Sequence, residues 1–133
     1  VMLYLIHKRN PELEYKGGQS PIVHLVADLE NTIAWANQKN KKWAFTSSNA
    51  GSFYFEDFHD LSQLNEINWD AVHEHYWSGC REEKQAEFLI EDCFPWNLVE
   101  EIGVISTEYY KIVERLATAT HKPKINVRNE WYY

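Results

Sequence analysis

Long apolar runs are missing from this sequence. No stretch approaches the ~20 consecutive apolar residues of a membrane-crossing helix, and the first residues lack the pattern of a secretory signal. A cytoplasmic protein with no membrane partner is the expectation. Cysteine is scarce: Cys80 and Cys93 are the only two, and without paired CxxC spacing they read as free thiols. Positive charge is in deficit, with 13 Lys and Arg against 20 Asp and Glu and a formal net charge of −7. That balance argues against tight non-specific binding of nucleic acid, whose affinity comes from neutralised phosphates. A local basic groove remains compatible with it.

What is present is the composition of a packed globular protein. The 133 residues are 44% hydrophobic and 15% aromatic, which suits one domain over residues 1–133 with a substantial core. Val1 to Ile6 forms an apolar stretch with no polar lead-in and no methionine at position 1. The chain is therefore expected to be a fragment whose upstream part is missing.

Read in order, Met2 to Ile6 is an apolar strand or short helix, and Leu13 to Gln19 is a loop containing Gly17-Gly18. Pro21 to Ala27 is a nearly continuous β-branched run, expected as a central buried strand with His24 as a hydrogen-bonded core residue. Asp28 caps a helix carrying Leu29, Ile33, Ala34 and Ala36, which ends in a turn at Asn37 to Lys42. Trp43 to Thr46 is a short strand. Ser47 to Ser52 is a small-residue loop leading into Phe53-Tyr54-Phe55, aromatics that can stack an unpaired base or form the loop's own core. Asp60 opens an irregular helical region through Val72. His73, His75 and Cys80 make an incomplete metal set with no second ligand pair, so no metal is expected. Pro95 starts a short helix through Glu101 that Gly103 ends. Val104 to Ser106 is a strand, Thr107 caps a further helix, and Ile125 to Arg128 is the last strand. Strands and helices mix without a strict βαβ repeat, which indicates an α+β fold.

The chemistry concentrates in Lys84 to Glu91, Lys-Gln-Ala-Glu-Phe-Leu-Ile-Glu. On a strand, Gln85 and Glu87 share one face while Ala86 and Phe88 take the other. A carboxylate beside a carboxamide suits reaction at the anomeric carbon of a ribose. Cleavage of a C–N glycosidic bond builds positive charge on the sugar, which a fixed carboxylate stabilises most in the transition state. The plain alternative is an edge strand with solvated polar residues.

Several pieces recur together in a known order: Met2-Leu3-Tyr4 with Ile6-His7, Gly17-Gly18-Gln19 before Pro21-Ile22-Val23, Trp43-Ala44-Phe45-Thr46, Ile67-Asn68-Trp69, Lys84-Gln85-Ala86-Glu87 and Trp131-Tyr132. The set spans essentially the whole chain and resembles the DarT family, the DNA ADP-ribosyltransferase toxins of DarT–DarG toxin–antitoxin systems. The resemblance implies the ADP-ribosyltransferase fold, two small β-sheets packed at an angle with surrounding helices and NAD in the cleft. It implies transfer of ADP-ribose from NAD to a base in single-stranded DNA, with Glu87 as the catalytic residue. Gln85, Met2 and Lys16 fall at cofactor-binding positions. Residues from about Lys39 to Lys84 resemble the region that reads the target nucleotide, with Asn49, Ser48, Lys41, Lys42 and Tyr54 facing the DNA, and Lys39 and Lys84 beside the basic pair. A DarG-type macrodomain antitoxin is the implied partner.

Two departures bear on these implications. The family's N-terminal third, with a His, backbone contacts to NAD and an Arg important for catalysis, has no counterpart here. Asn49 stands at or near a position where many thymidine-modifying members have His, and an amide is no general base at neutral pH. Thymine and guanine are both open as target bases. Two other readings share these residues: an inactive truncated module that binds nucleic acid or an antitoxin, and an NAD glycohydrolase using water as acceptor.

Overall fold

The computed structural model describes every residue except Tyr54 and His75. In chain order the elements are α1 (Met2–His7), β1 (His24–Val26), α2 (Leu29–Gln38), β2 (Trp43–Thr46), β3 (Asp57–Phe58), α3 (Trp69–His73), β4 (Phe88–Ile90), β5 (Glu101–Val104), α4 (Thr107–Leu116) and β6 (Lys124–Val127). Single 3-10 turns lie at Leu61–Glu66, Trp77–Gly79, Glu83–Gln85, Trp96–Leu98 and Asn129–Trp131. The mixture is α+β, as the sequence pattern indicates. Among the described residues, no helix is long and apolar enough to cross a membrane.

Local chemistry explains where the elements begin and end. The Asp28 carboxylate accepts from Asn31 N–H at 2.8 Å and caps α2. At the other end Asn40 adopts φ 53°, while Lys41 N–H reaches Ala36 O at 2.8 Å and Asn40 N–H reaches Asn37 O at 3.2 Å. That is a Schellman ending with asparagine in the left-handed position. Asp60 caps the Leu61–Glu66 turn through Ser62 N–H, a bond that lowers its pKa, and Asn68 caps α3 through Ala71 N–H.

The chain forms two compact units. One comprises Val1 with residues 33–93, and the other residues 2–32 with 94–133. In the second unit, β5 is the central strand, antiparallel to β1 and parallel to β6. A parallel pair needs a crossover connection, and α4 supplies it. Ile102 and Val104 are buried on one face of β5, where Tyr109, Tyr110 and Val113 of α4 pack with Val23 and Ile125. The opposite face carries Glu101 and Gly103. There Arg128 forms a two-point ion pair with Glu101, Nε to Oε1 at 2.7 Å and Nη2 to Oε2 at 3.2 Å, which holds the Glu101 carboxyl below its ordinary pKa. Trp131 and Tyr132 pack edge-on to His24, with centroid separations of 5.4 and 4.9 Å. The Tyr132 hydroxyl lies 2.7 Å from Ile22 O. Burial pushes the His24 pKa down.

Four expectations are corrected here. Pro21 to Ala27 is no central buried strand: only His24–Val26 is extended, at the sheet edge, and Leu25 is 54% exposed. The Pro95-to-Glu101 helix is a single 3-10 turn, after which the chain enters β5. Glu101 and Gly103 are therefore strand residues, and the strand expected at Val104 to Ser106 lies earlier. Thr107 is the first residue of α4, and Ser106 precedes it as the cap position.

In the first unit β2 is central, antiparallel to β3 and β4. Phe45 stands opposite Phe58 on one side and Phe88 on the other. Trp43 stacks with Phe45 and Phe88 at 6.5 and 6.1 Å, and Phe45 meets Phe58 at 5.3 Å. His59 joins β3 to β2, donating from Nδ1 to Trp43 O at 3.0 Å and meeting Asp57 at 2.7 Å. The backbone acceptor and then the carboxylate raise its pKa.

Candidate active site

The position of Glu87 follows from the aromatic row. Because Phe45 pairs with Phe88, the next pair in an antiparallel ladder is Thr46 with Glu87, and successive residues alternate faces. Burying Phe88 on the aromatic face therefore sends Glu87 to the other one, and a slip of one residue would exchange them. Thr46 N–H donates to Glu87 O at 2.9 Å, but the reciprocal bond is unusual: Glu87 N–H reaches the Thr46 hydroxyl at 3.2 Å. Thr46 is fully buried, and its hydroxyl donates to Ser48 O at 2.6 Å. One side chain thus anchors both the Glu87 backbone and the start of the following loop.

That loop turns back over the site. Asn49 Oδ1 accepts from Gly51 N–H at 2.7 Å, and Ser52 N–H reaches Asn49 O at 2.9 Å, closing a turn. Ala50 N–H points at Glu87 Oε2, 3.4 Å away. With its oxygen committed to Gly51, Asn49 offers its NH₂ to Gln85 Oε1 at 3.4 Å, and Gln85 in turn donates to Arg81 O at 3.0 Å. This relay sets the orientation of both amides.

The strand expected over Lys84 to Glu91 is shorter than the alternation suggested. Gln85 ends a 3-10 turn, Ala86 is its cap and the strand proper is Phe88–Ile90. Cys80 O, Glu82 O and Glu83 O accept from the amides of Lys84, Gln85 and Ala86. Turn hydrogen bonds therefore hold the segment before Glu87, and Gln85 reaches the site from a turn.

The loop and turn enclose an open cavity of about 280 Å³ lined by Asn49, Gly51, Ser52, Arg81, Glu82 and Gln85. The structure brings Asn49, Gln85 and Glu87 together, with Ser48 bonded through its carbonyl. Lys41 and Lys42 lie before the other end of β2, roughly 15 Å away at about 3.3 Å per strand residue. Lys41 is ion-paired with Asp92, which raises its pKa, and Lys42 N–H bonds Glu91. Lys84 Nζ donates to Val72 O at 2.7 Å at the end of α3. Met2, 60% exposed, and Lys16, which bonds Pro11 O at 3.1 Å, belong to the second unit. Tyr54, and His75 of the incomplete metal set, lie outside the described residues. Among the described residues, no group of three or more His, Cys, Asp or Glu is arranged to hold a metal ion. Sequence reasoning missed Arg81, Glu82, the Ala50 amide and Thr46. The run Arg81 to Lys84 looks like an ordinary solvated charge run, and only the turn that closes it against Asn49 makes it a wall.

Comparison with known proteins places this arrangement in a family. The family model described as DarT, ssDNA thymidine ADP-ribosyltransferase, matches residues 1–133. The chain belongs to the DarT family. It is 40% identical over 135 residues to a DNA ADP-ribosyl transferase of Thermus aquaticus, covering 99% of this chain and 58% of that protein. Among solved structures it is similar to Thermus sp. 2.9 DarT in complex with NAD+, with a TM-score of 0.83, 34% identity and coverage of 99% of this chain and 67% of the other. The same DarT in complex with ADP-ribosylated single-stranded DNA gives a TM-score of 0.82 at 34% identity, covering 99% of this chain and 63% of that one. The chain thus spans about three-fifths of the length of the curated relatives it matches. The DarT fold is the ADP-ribosyltransferase fold expected from the sequence, here with two three-stranded sheets.

Thr46 offers a direct test of how this site is held. In Thr46→Val the part-buried Glu87 N–H and Ser48 carbonyl bonds lose their shared partner, at a cost of about 1 kcal/mol for each bond. Denaturant unfolding should show that loss, and Thr46→Ser, which keeps the hydroxyl, should recover most of it.

Proposed function

We propose that this chain carries the catalytic carboxylate and the acceptor pocket of an NAD-dependent DNA ADP-ribosyltransferase, a bacterial toxin that modifies a base in single-stranded DNA. The observation that carries this reading is the position of Glu87: its carboxylate is held by the Ala50 amide, beside the cavity that Asn49 and Gly51 line. The related DarT structures with NAD+ and with ADP-ribosylated single-stranded DNA support both substrates.

Glu87 Oε2 is oriented by Ala50, which leaves Oε1 to accept from a hydroxyl of the nicotinamide ribose. As nicotinamide departs, the sugar gains positive charge and the fixed carboxylate stabilises it. Gln85 supports this position through its carboxamide; Met2 and Lys16, in the other unit, are candidate NAD contacts on the family resemblance alone. The base enters the cavity along the relay of Asn49 and Gln85, with Ser48 beside it; Tyr54, outside the described residues, is a further candidate for contact with the DNA. Flanking nucleotides extend along β2 toward Lys41 and Lys42. An unpaired base is needed because the reacting atom is inaccessible in a duplex. Family membership supports a DarG-type macrodomain antitoxin as the partner that opposes the toxin.

Thymine is the target we favour, on the description of the family; Asn49 makes guanine the alternative. Incubating the intact protein with NAD and single-stranded oligonucleotides of defined composition should add one ADP-ribose to thymine-containing strands. A product confined to guanine assigns the other base. Free ADP-ribose forming with no DNA adduct would replace the transferase reading with NAD hydrolysis.

A further inference from the structure

The Thr46 hydroxyl joins the two parts of the site. In a hydrogen-bonded antiparallel pair each residue gives its N–H to the other's carbonyl. Thr46 N–H does so, reaching Glu87 O at 2.9 Å. Glu87 N–H instead meets the Thr46 side chain at 3.2 Å, which lets the backbone turn out of β2 while Glu87 keeps its place in the ladder. A hydroxyl carries a single hydrogen. That of Thr46 lies 2.6 Å from Ser48 O and 3.5 Å from Glu87 O, so the short contact takes it and fixes the start of the loop. Beyond Ser48 come Asn49, whose NH₂ meets Gln85, and Ala50, whose N–H meets Glu87 Oε2. These bonds close a circuit, from the Glu87 amide through Thr46 Oγ1 to Ser48, along the loop to Ala50 and back to the Glu87 carboxylate. The two bonds that return from the loop are long, at 3.4 Å each, so the loop is placed chiefly by its anchor at Thr46. Thr46 has no exposed surface, so bulk water does not compete for that anchor, and branching at Cβ restricts its rotamer.

We propose that Thr46 is a positioning residue for the transfer step: its hydroxyl sets the spacing between Glu87, which acts on the sugar, and the Asn49 loop, which receives the acceptor base. This rests on the transferase reading given above. In the transfer, the lone pair of a base nitrogen forms the new bond to the anomeric carbon as the bond to nicotinamide breaks. Nicotinamide leaves with the electron pair of the broken bond, and the proton of the attacking nitrogen is released to solvent. The step depends on alignment, and a misplacement of about 1 Å costs on the order of a hundredfold in rate. Without the hydroxyl, Glu87 and the loop shift independently. The sugar then more often meets water, which bonds its oxygen to the same carbon, loses a proton to solvent and yields free ADP-ribose.

The test compares the intact parent with its Thr46 variants, using NAD and a single-stranded oligonucleotide well below each melting transition. It measures kcat, both KM values and the ratio of DNA adduct to free ADP-ribose. Thr46→Val should lower kcat for transfer about tenfold to a hundredfold, with little change in either KM, and move the ratio toward free ADP-ribose. Thr46→Ser should recover most of the rate and the parent ratio. A role in stability alone gives a lower melting temperature with parent kcat and parent ratio in the folded enzyme, and that result overturns the assignment while the transferase reading stands. A Thr46→Ser enzyme as impaired as Thr46→Val overturns it too, because the hydroxyl is then not what matters. If Thr46→Val does not fold, Thr46→Cys, whose thiol is a weaker donor and acceptor, must show an intermediate rate and ratio, and parent values there count equally against the role. A parent that forms no DNA adduct overturns the transferase reading and this role with it.

Discussion

Glu87→Gln should reduce ADP-ribosylation of single-stranded DNA by about 10²–10³-fold, the scale for removing one preorganised electrostatic contact to a developing charge. The substitution is nearly isosteric. The amide oxygen can still accept from Ala50 N–H, now 3.4 Å from Glu87 Oε2, and the backbone bonds to Thr46 are untouched. Folding should therefore be preserved while the negative charge that we propose acts on the sugar is lost. The informative measurement is a single-turnover rate at saturating NAD and DNA, followed by mass, beside a thermal melt of the same sample. A large loss in rate with unchanged melting assigns the effect to charge. Parent-like turnover would remove Glu87 from the mechanism, and a collapsed melting curve would show that the residue acts first on the fold.

The sequence made Glu87 legible for a reason that the structure then revises. Period-two alternation selected Gln85 and Glu87 as one face of a strand, yet Gln85 sits in a 3-10 turn. The pair survives because Asn49, remote in sequence, fixes Gln85 through a side-chain bond while Phe88 fixes the face of Glu87. Strand β2 and the Asp28 cap were readable because their signals are local: aromatic and β-branched residues in the first case and a side-chain bond three residues away in the second. The wall built by Arg81 and Glu82 was not readable. Its significance comes from a loop more than 25 residues earlier in the chain, and nothing in a charged run reports what packs opposite it.

The same limit explains Gly103, which read locally as the residue ending a helix and lies instead in the middle of the central strand β5. Its missing side chain makes room for an indole. A Cβ at this position would lie 2.7 Å from Trp131 Cε3, closer still to Cζ3, and 3.3 Å from Arg128 Cγ. The indole has little freedom to yield, because the Arg128 guanidinium sits 5.2 Å from its centroid and the His24 ring meets it edge-on. Displacing it would also disturb Tyr132, whose hydroxyl lies 2.7 Å from Ile22 O and 3.2 Å from Gly103 O. Gly103→Ala should therefore destabilise the protein by about 1–3 kcal/mol, the range for overpacking, and lower Tm by several degrees. This runs against the gain that alanine usually brings to a strand by reducing unfolded-state entropy. Trp131→Leu would be destabilising alone, through lost aromatic contact, but should relieve the clash in combination. The double-mutant cycle should then show the pair to be less harmful together than the sum of its parts. Strict additivity, or a Gly103→Ala protein that melts with the parent, would mean that the indole moves aside freely and that the close approach does not constrain this residue.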